Sequence, residues 1–175
     1  QLFGFRNATS LCSRNISTLK KSFISLYLRS KTTIYLMKPD LLQLGAIAGY
    51  GIWWAKDHEL NQSERADRQT NNAAEIQAVT ETIKLAKHHD MKALLIHTDS
   101  NFLIDCVTKW MKNWKKNGWK TAKNEPVKNR EELEALDRAS QMAPPLKIKY
   151  KHVKGHSGIS GNEEADQLAV MGAKK

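Results

Sequence analysis

Apolar positions along the chain switch between a period of two and a spacing of three and four, and from about Ala46 onward this switching lays out a mixed α/β domain. Ala48-Gly-Tyr-Gly-Ile-Trp-Trp-Ala55 is apolar over strand length, with glycines that let neighbouring backbone approach. The polar stretch Glu59 to Ala66 reads as a short exposed strand returning by a hairpin. Asn72 to His88 carries Ile76, Val79, Ile83 and Ala86 at helical spacing, an amphipathic helix whose entrance is marked by Thr70, Asn71 and Asn72. Ala93-Leu-Leu-Ile-His-Thr98 is a continuous apolar run, the pattern of a strand covered on both faces, and Asp99 stands at its carboxyl end. Ser100 to Met111 forms a second helix with the stripe Leu103, Ile104, Val107, Trp110 and Met111; a third begins at Asn129, where Asn129-Arg-Glu-Glu132 has the form of a capping box. Leu146, Ile148 and Tyr150 alternate with Lys147, Lys149 and Lys151, a half-exposed strand, and Asn162 to Ala173 is a last helix burying Ala165, Leu168 and Ala169.

The length of 175 residues and 41% hydrophobic content suit one globular domain plus some extra sequence. The net charge of +10 points to a polyanionic partner, nucleic acid first and a membrane surface second. Much of that charge lies early. Residues 1–40 hold Arg6, Arg14, Lys20, Lys21, Arg29, Lys31 and Lys38 against the single acid Asp40, a composition resembling a mitochondrial transit peptide, so the nucleus and the mitochondrion are the expected compartments. No run there is long or apolar enough to span a bilayer, since Phe23 to Leu28 is interrupted by Ser25 and bounded by Lys21 and Arg29, so no membrane association is expected. Cys12 and Cys106 are too few for a disulfide framework or a zinc site. The chain thus divides into an atypical basic segment, 1–45, and a folded domain, 46–175. The first segment is a transit peptide or the product of an aberrant exon, and it supplies a degenerate first strand.

Three acids occupy chemically readable settings: Glu75 after Arg68-Gln-Thr-Asn-Asn-Ala-Ala, Asp99 at a strand end, and Asp166 in the last helix. Hard carboxylate ligands drawn from separate elements are what Mg²⁺ takes in phosphodiester hydrolysis. Each also has a plain reading: Glu75 as a first-turn acid favoured by the helix dipole, Asp99 as a helix cap. Arg68, Thr70, Asn71 and Asn72 crowd one helix entrance with donors suited to phosphate and sugar hydroxyls. His156, in the glycine-rich loop before Asp166, is placed for proton transfer or product release. Trp110 continues the apolar stripe and reads as core. Trp114 and Trp119, among Lys115, Lys116 and Lys120, read as stacking platforms for nucleic acid, with a structural tryptophan clamp as the competing reading.

In this order the motifs Gly49-Tyr-Gly-Ile, Arg68 to Glu75, His97-Thr-Asp-Ser100, Trp114-Lys-Lys-Asn-Gly-Trp-Lys120 and His152-Val-Lys-Gly-His-Ser-Gly-Ile-Ser-Gly-Asn-Glu-Glu-Ala-Asp166 resemble type 1 ribonuclease H, over about Ala46 to Lys175. The resemblance implies a five-stranded mixed sheet flanked by helices and cleavage of the RNA strand of an RNA/DNA hybrid by a monomer. It implies Glu75, Asp99 and Asp166 as ligands of two Mg²⁺ ions, with Mn²⁺ as an alternative, and His156 assisting turnover. Arg68, Thr70 and Asn129 match a pocket for a DNA phosphate, Asn71 and Asn72 match residues that meet RNA 2′-hydroxyls, and Trp114 to Lys120 matches a basic protrusion that grips the DNA strand. The departure is upstream. The family's first strand ends in an aspartate that bridges both metals, and here Ile34-Tyr-Leu-Met-Lys38 puts Met37 at that place, a soft neutral thioether. Asp40 lies three residues on, without the loop sequence the family has there. The alternative function is a catalytically inactive module that binds the hybrid. A ribonuclease H domain of a retroelement polymerase is disfavoured by the intact basic tryptophan segment.

Overall fold

The computed structural model describes residues 47–155 and 158–175 in full and residues 33–37 as backbone. Five strands form one sheet: β1 (Thr33–Met37), β2 (Gly49–Trp53), β3 (Gln62–Arg65), β4 (Ala93–Thr98) and β5 (Lys147–His152), in the order β3-β2-β1-β4-β5. β1 is central, antiparallel to β2 and parallel to β4, while β3 continues antiparallel and β5 parallel. The mixed α/β expectation is met, and the degenerate first strand falls where the Ile34 to Lys38 reading put it, within one residue.

α1 (Asn71–His88) begins where Thr70, in extended conformation, accepts a hydrogen bond on its hydroxyl from the Ala73 amide at 3.3 Å. It is buried almost all round. Besides Ile76, Val79 and Ile83, its Ala73, Ala74, Ala78, Thr80 and Thr82 are buried, because α1 lies between the sheet and α4 (Arg130–Gln141). Alanines on the second face allow that close fit, and the Thr80 hydroxyl is satisfied by the Ile76 carbonyl at 2.8 Å. The Lys87 ammonium donates to the Ser140 carbonyl at 2.9 Å and to that of Met142, which ties the carboxyl ends of the two helices together.

α2 (Asn101–Asp105) and α3 (Met111–Lys116) are joined without a break by a π-helical turn, Cys106–Trp110. The wider turn changes which residues face inward. Leu103, Cys106 and Met111 are buried, and Trp110, expected in the core, is 38% exposed.

α5 (Ser160–Ala173) crosses β1, β2 and β3 on the other side of the sheet. The two glycines of β2 make this possible, since a Cβ at Gly51 would lie 2.1 Å from the Ala165 carbonyl oxygen and one at Gly49 2.3 Å from the Ala173 nitrogen. α5 starts two residues before the expected Asn162, and Leu168 is half-buried rather than core. The basic segment before residue 33 and Asp40 lie outside the described residues.

Candidate active site

The carboxyl ends of β1 and β4 share one edge of the sheet, and Asp99 follows β4 there. β4 ends at Thr98, and Ser100 rather than Asp99 caps the next helix: its hydroxyl accepts from the Leu103 amide at 3.1 Å, while its own amide donates to the Thr98 hydroxyl at 3.1 Å. The plain reading of Asp99 as that cap is thereby removed. The loop after β5 closes against it. The Val153 amide donates to the Thr98 carbonyl at 3.0 Å, His152 Nε2 lies 3.2 Å from the Asp99 carbonyl oxygen, and a Cβ on Gly155 would come within 2.9 Å of Asp99 Oδ2. A side chain at residue 155 would thus have the Asp99 carboxylate as its neighbour.

Glu75 is 3% exposed in α1, facing the element that carries Cys106. Burial, then Asp105 and Glu75, pushes the Cys106 thiol up to about 12, so this cysteine stays protonated and is no nucleophile. Asp166 is half-buried on α5, directly after Ala165, whose carbonyl lies against Gly51. Met37 pairs with Gly51 on one side; on the other, Leu36 pairs with Thr98, so Met37 and Asp99 are the next residues on adjacent parallel strands. The backbone of residue 37 thus stands between Asp99 and the part of α5 that bears Asp166. His156 lies outside the described residues.

Carboxylate oxygens from α1, β4 and α5 are the donors a hard divalent cation prefers. Yet among the described residues no three His, Cys, Asp or Glu side chains come together as a metal site. The type of donor fits, and residue 37, which ends β1, is a methionine, a residue type with no hard donor.

Beside this edge the entrance of α1 opens into a cleft of about 670 Å³ lined by Arg68, Thr70, Asn71, Asn72, Lys128 and Asn129. Five of these were picked out from sequence; Lys128, between buried Val127 and buried Asn129, was not. Gln69 fixes the approach, with its side-chain oxygen accepting from the Ala48 amide at 2.6 Å and its amide donating to the Ala66 carbonyl. Asn129 makes no capping bond. It sits in the left-handed region at φ 56°, which spoils the expected capping box and leaves its side chain facing the cleft. Arg68 is shared with Glu132 at 3.3 Å, an exposed pair that a stronger anion can displace at little cost. Asn71 Oδ1 is buried and has no donor among the described residues.

The basic segment differs from expectation. Trp119 is 9% exposed at φ 63°, its amide donating to the Trp114 carbonyl at 2.7 Å, its carbonyl accepting from Val127 at 3.0 Å, and Arg130 lying over its ring at 6.0 Å. It is a clamp holding the loop, not a stacking platform. The exposed aromatic is Trp110, in a row with Phe102 and Trp114 at ring separations of 6.2 and 5.6 Å. Lys115 pairs with Asp137 at 2.6 Å, while Lys116 and Lys120 are exposed.

A mixed sheet in this order, with acids at one edge and a polar cleft at a helix entrance beside it, defines the ribonuclease H-like class of α/β domains. The RNase H family model matches residues 43–174, and the chain belongs to that family. It is 46% identical to ribonuclease H1 of Homo sapiens over 129 residues, 73% of this chain and 44% of that protein. It is 40% identical to ribonuclease H of Schizosaccharomyces pombe over 133 residues, 75% of this chain and 48% of that one. The chain thus spans less than half the length of these relatives. Among solved structures it resembles the foamy viral PFV RNase H domain (TM-score 0.62, 27% identity, 81% of this chain and 93% of that one). It shares the fold of LC9-RNase H1, a type 1 RNase H with the type 2 active-site motif (TM-score 0.62, 23% identity, 81% and 71% covered). The family match starts at residue 43, after β1, so the central strand is the part of the sheet that departs from the family. No helix among the described residues is long and apolar enough to cross a membrane.

Proposed function

We propose that the chain is a ribonuclease H domain that grips an RNA/DNA hybrid across the entrance of α1 and presents the RNA strand to the acidic edge for hydrolysis. The observation that carries this reading is the cleft, which gathers Arg68, Thr70, Asn71, Asn72 and Asn129 from two separate segments at the entrance of the helix that bears Glu75. Arg68, Thr70 and Asn129 hold a DNA phosphate, with Lys128 adding charge. Asn71 and Asn72 meet ribose 2′-hydroxyls, and the buried acceptor on Asn71 suits such a donor. Trp114 and Trp110, with Lys115, Lys116 and Lys120, lie along the DNA strand; Trp119 supports them from beneath.

Glu75, Asp99 and Asp166 are the carboxylates that would hold Mg²⁺, or Mn²⁺ in its place. Bound there, such ions supply an activated water and stabilise the leaving oxygen. The chain's own residues orient the scissile phosphate, and His156 is the group assigned to proton transfer or product release.

A second reading rests on one observation: the residue whose backbone lies between Asp99 and α5 is Met37, which carries no hard donor. On that reading the chain holds the hybrid without cutting it. Both are tested by incubating the chain with a labelled hybrid, in chelator for binding and in Mg²⁺ for cleavage, beside a Met37→Asp variant. Cleavage by the parent that Asp99→Asn abolishes supports hydrolysis. Binding without cleavage, with cleavage appearing in Met37→Asp, supports the second reading. No preference for hybrid over double-stranded DNA would sink both.

A further inference from the structure

The side of the sheet away from α1 is unevenly used. α5 lies across β1, β2 and β3 there, and β5 is left open. Register decides what β5 shows: Ile148 and Tyr150 pair with Leu94 and Ile96 and pack towards the core, so Lys147, Lys149 and Lys151 project from the opposite face, beside Ala93, Leu95 and His97. All three lysines are exposed. Alternate residues of a strand stand about 6.6 Å apart, so the row runs roughly 13 Å from end to end.

Among the described residues no carboxylate pairs with these ammonium groups. Among the described residues Arg68, Lys84, Lys109, Lys115, Arg130 and Lys175 each have a carboxylate within ion-pair distance, and none of the three lysines of β5 does. The facing positions of β4 supply no acid either, being Ala93, Leu95 and a buried His97. Because β4 and β5 are parallel, the row ends next to the acidic edge. Lys151 pairs with His97, His152 with Thr98, and Asp99 follows.

Lysines on an edge strand also keep foreign strands from pairing, and that is the plain account of them. Charge of either sign on either face would serve that purpose. It does not call for a one-sign row on one face that leads to the substrate edge.

We propose that Lys147, Lys149 and Lys151 form a second nucleic-acid contact, a track for the phosphate backbone of a single strand that continues from the hybrid past the acidic edge. The occupant follows from charge and width: a line of cations one side chain wide, with no aromatic among its lysines, matches a single polyanionic backbone and reads no base. The inference rests on the hybrid-binding reading above.

The test compares the affinity of the full chain, in chelator, for a blunt hybrid and for the same hybrid with a single-stranded tail at either end. Two variants are measured beside it, K147Q/K149Q/K151Q and K147E/K149E/K151E. The glutamate variant keeps a charged edge and so preserves protection against strand pairing, and melting curves verify the fold of both. The parent is expected to bind one tailed hybrid more tightly than the blunt one. Its log Kd against log salt should be steeper by about 2, from about 0.7 per neutralised phosphate over three lysines. Both variants should lose that advantage and keep the affinity for blunt hybrid. Equal parental affinity for tailed and blunt hybrids overturns the proposal, as does an equal loss on both substrates, which would be bulk charge. Parental binding to phosphatidylserine vesicles that the variants lose, with no tail effect, assigns the row to a membrane and overturns it too. Should the chain bind no hybrid at all, the reading above fails, while binding of the free tail oligonucleotide that the variants lose still supports the row.

Discussion

Gly51→Ala is the sharpest test of how the sheet positions Asp166. A methyl group at residue 51 would lie 2.1 Å from the Ala165 carbonyl oxygen, 2.7 Å from the Ala169 nitrogen and 2.8 Å from the Leu168 Cβ. Two of these atoms are backbone, so no rotamer change relieves them. Restoring an ordinary contact of 3.4 Å means moving α5 off β2 by about 1.3 Å, the difference between the two distances. That opens the packing of Ala165 and Ala169, both 0% exposed, and strains the 2.7 Å bond from the Ser63 hydroxyl to the Leu168 carbonyl. Overpacking of this kind costs about 1–3 kcal/mol and the loosened hydrogen bond about 1 more. A loss of roughly 3 kcal/mol is a large share of a total stability of about 5–15 kcal/mol, and lowers the midpoint by roughly 10 °C for a domain of this size.

The assay is thermal and urea unfolding followed by circular dichroism, with Gly118→Ala as the control. Gly118 also lacks a side chain, but nothing lies within 4 Å of its position, and its φ of +69° sets the whole cost, about 1–2 kcal/mol. The two glycines thus separate crowding from backbone conformation. A Gly51→Ala variant no less stable than Gly118→Ala would refute the close approach of α5 to β2.

Trp119→Ala should cost about 3–5 kcal/mol in urea unfolding, as removal of a buried aromatic does, whereas Trp110→Ala should leave stability nearly unchanged and weaken hybrid binding by about 1–3 kcal/mol in a titration. The reverse pattern would restore the sequence-based assignment of these two residues. Lys87→Met, which strips the Ser140 and Met142 carbonyls of their donor, should cost about 1.5–3 kcal/mol by urea unfolding, and a neutral result would show that water replaces the ammonium there. Burial, and then the Lys151 ammonium, holds the His97 imidazole below its ordinary value, so the unfolded chain binds that proton more readily than the folded one. The stability this contributes is present above about pH 6.5 and lost as pH falls through the lower folded value. His58 is lowered too, first by burial, so His97→Phe should flatten the acid-side loss of stability without removing it; an unchanged pH profile would refute the shift at His97.

The elements were legible because each carries its own periodicity, and the acids because each stands in a polar motif, Asp99 directly after β4, Glu75 early in α1 and Asp166 midway along α5. Four features were not. The second buried face of α1 is made of alanines and threonines, which carry little hydrophobic signal, so only one stripe could be read. The π-helical turn at Cys106–Trp110 leaves no local mark in sequence, and it turned Trp110 outward against the stripe. Trp119 was misplaced for a related reason: surrounding lysines suggest exposure, while a left-handed backbone and the bridge from Lys120 to Pro126 fold the ring inward. Lys128 carried no signal at all, since only the pairing of Arg68 to Asn72 with Lys128 and Asn129 in space makes it part of the cleft.

Why residue 37 should matter more than any neighbour follows from the sheet order. β1 and β4 are parallel and adjacent, so both end at the same edge, and the backbone of residue 37 has the end of β4 on one flank and Gly51, against which α5 lies, on the other. β2 carries no side chain on its positions facing α5, Gly49 and Gly51, which the approach of the helix keeps bare. β5 ends in His152, already against the Asp99 carbonyl, and a Cβ at Gly155 would meet the Asp99 carboxylate. Met37 closes β1 beside Gly51 of β2 and one residue past the Leu36–Thr98 pair with β4, and a methionine brings no hard donor to that position. The gripping residues, in contrast, sit at the entrance of α1 and ahead of α4, and none belongs to β1. On the proposed function, holding the hybrid and cutting it fall to separate elements. A change at the end of β1 should switch the second while leaving the first as it was.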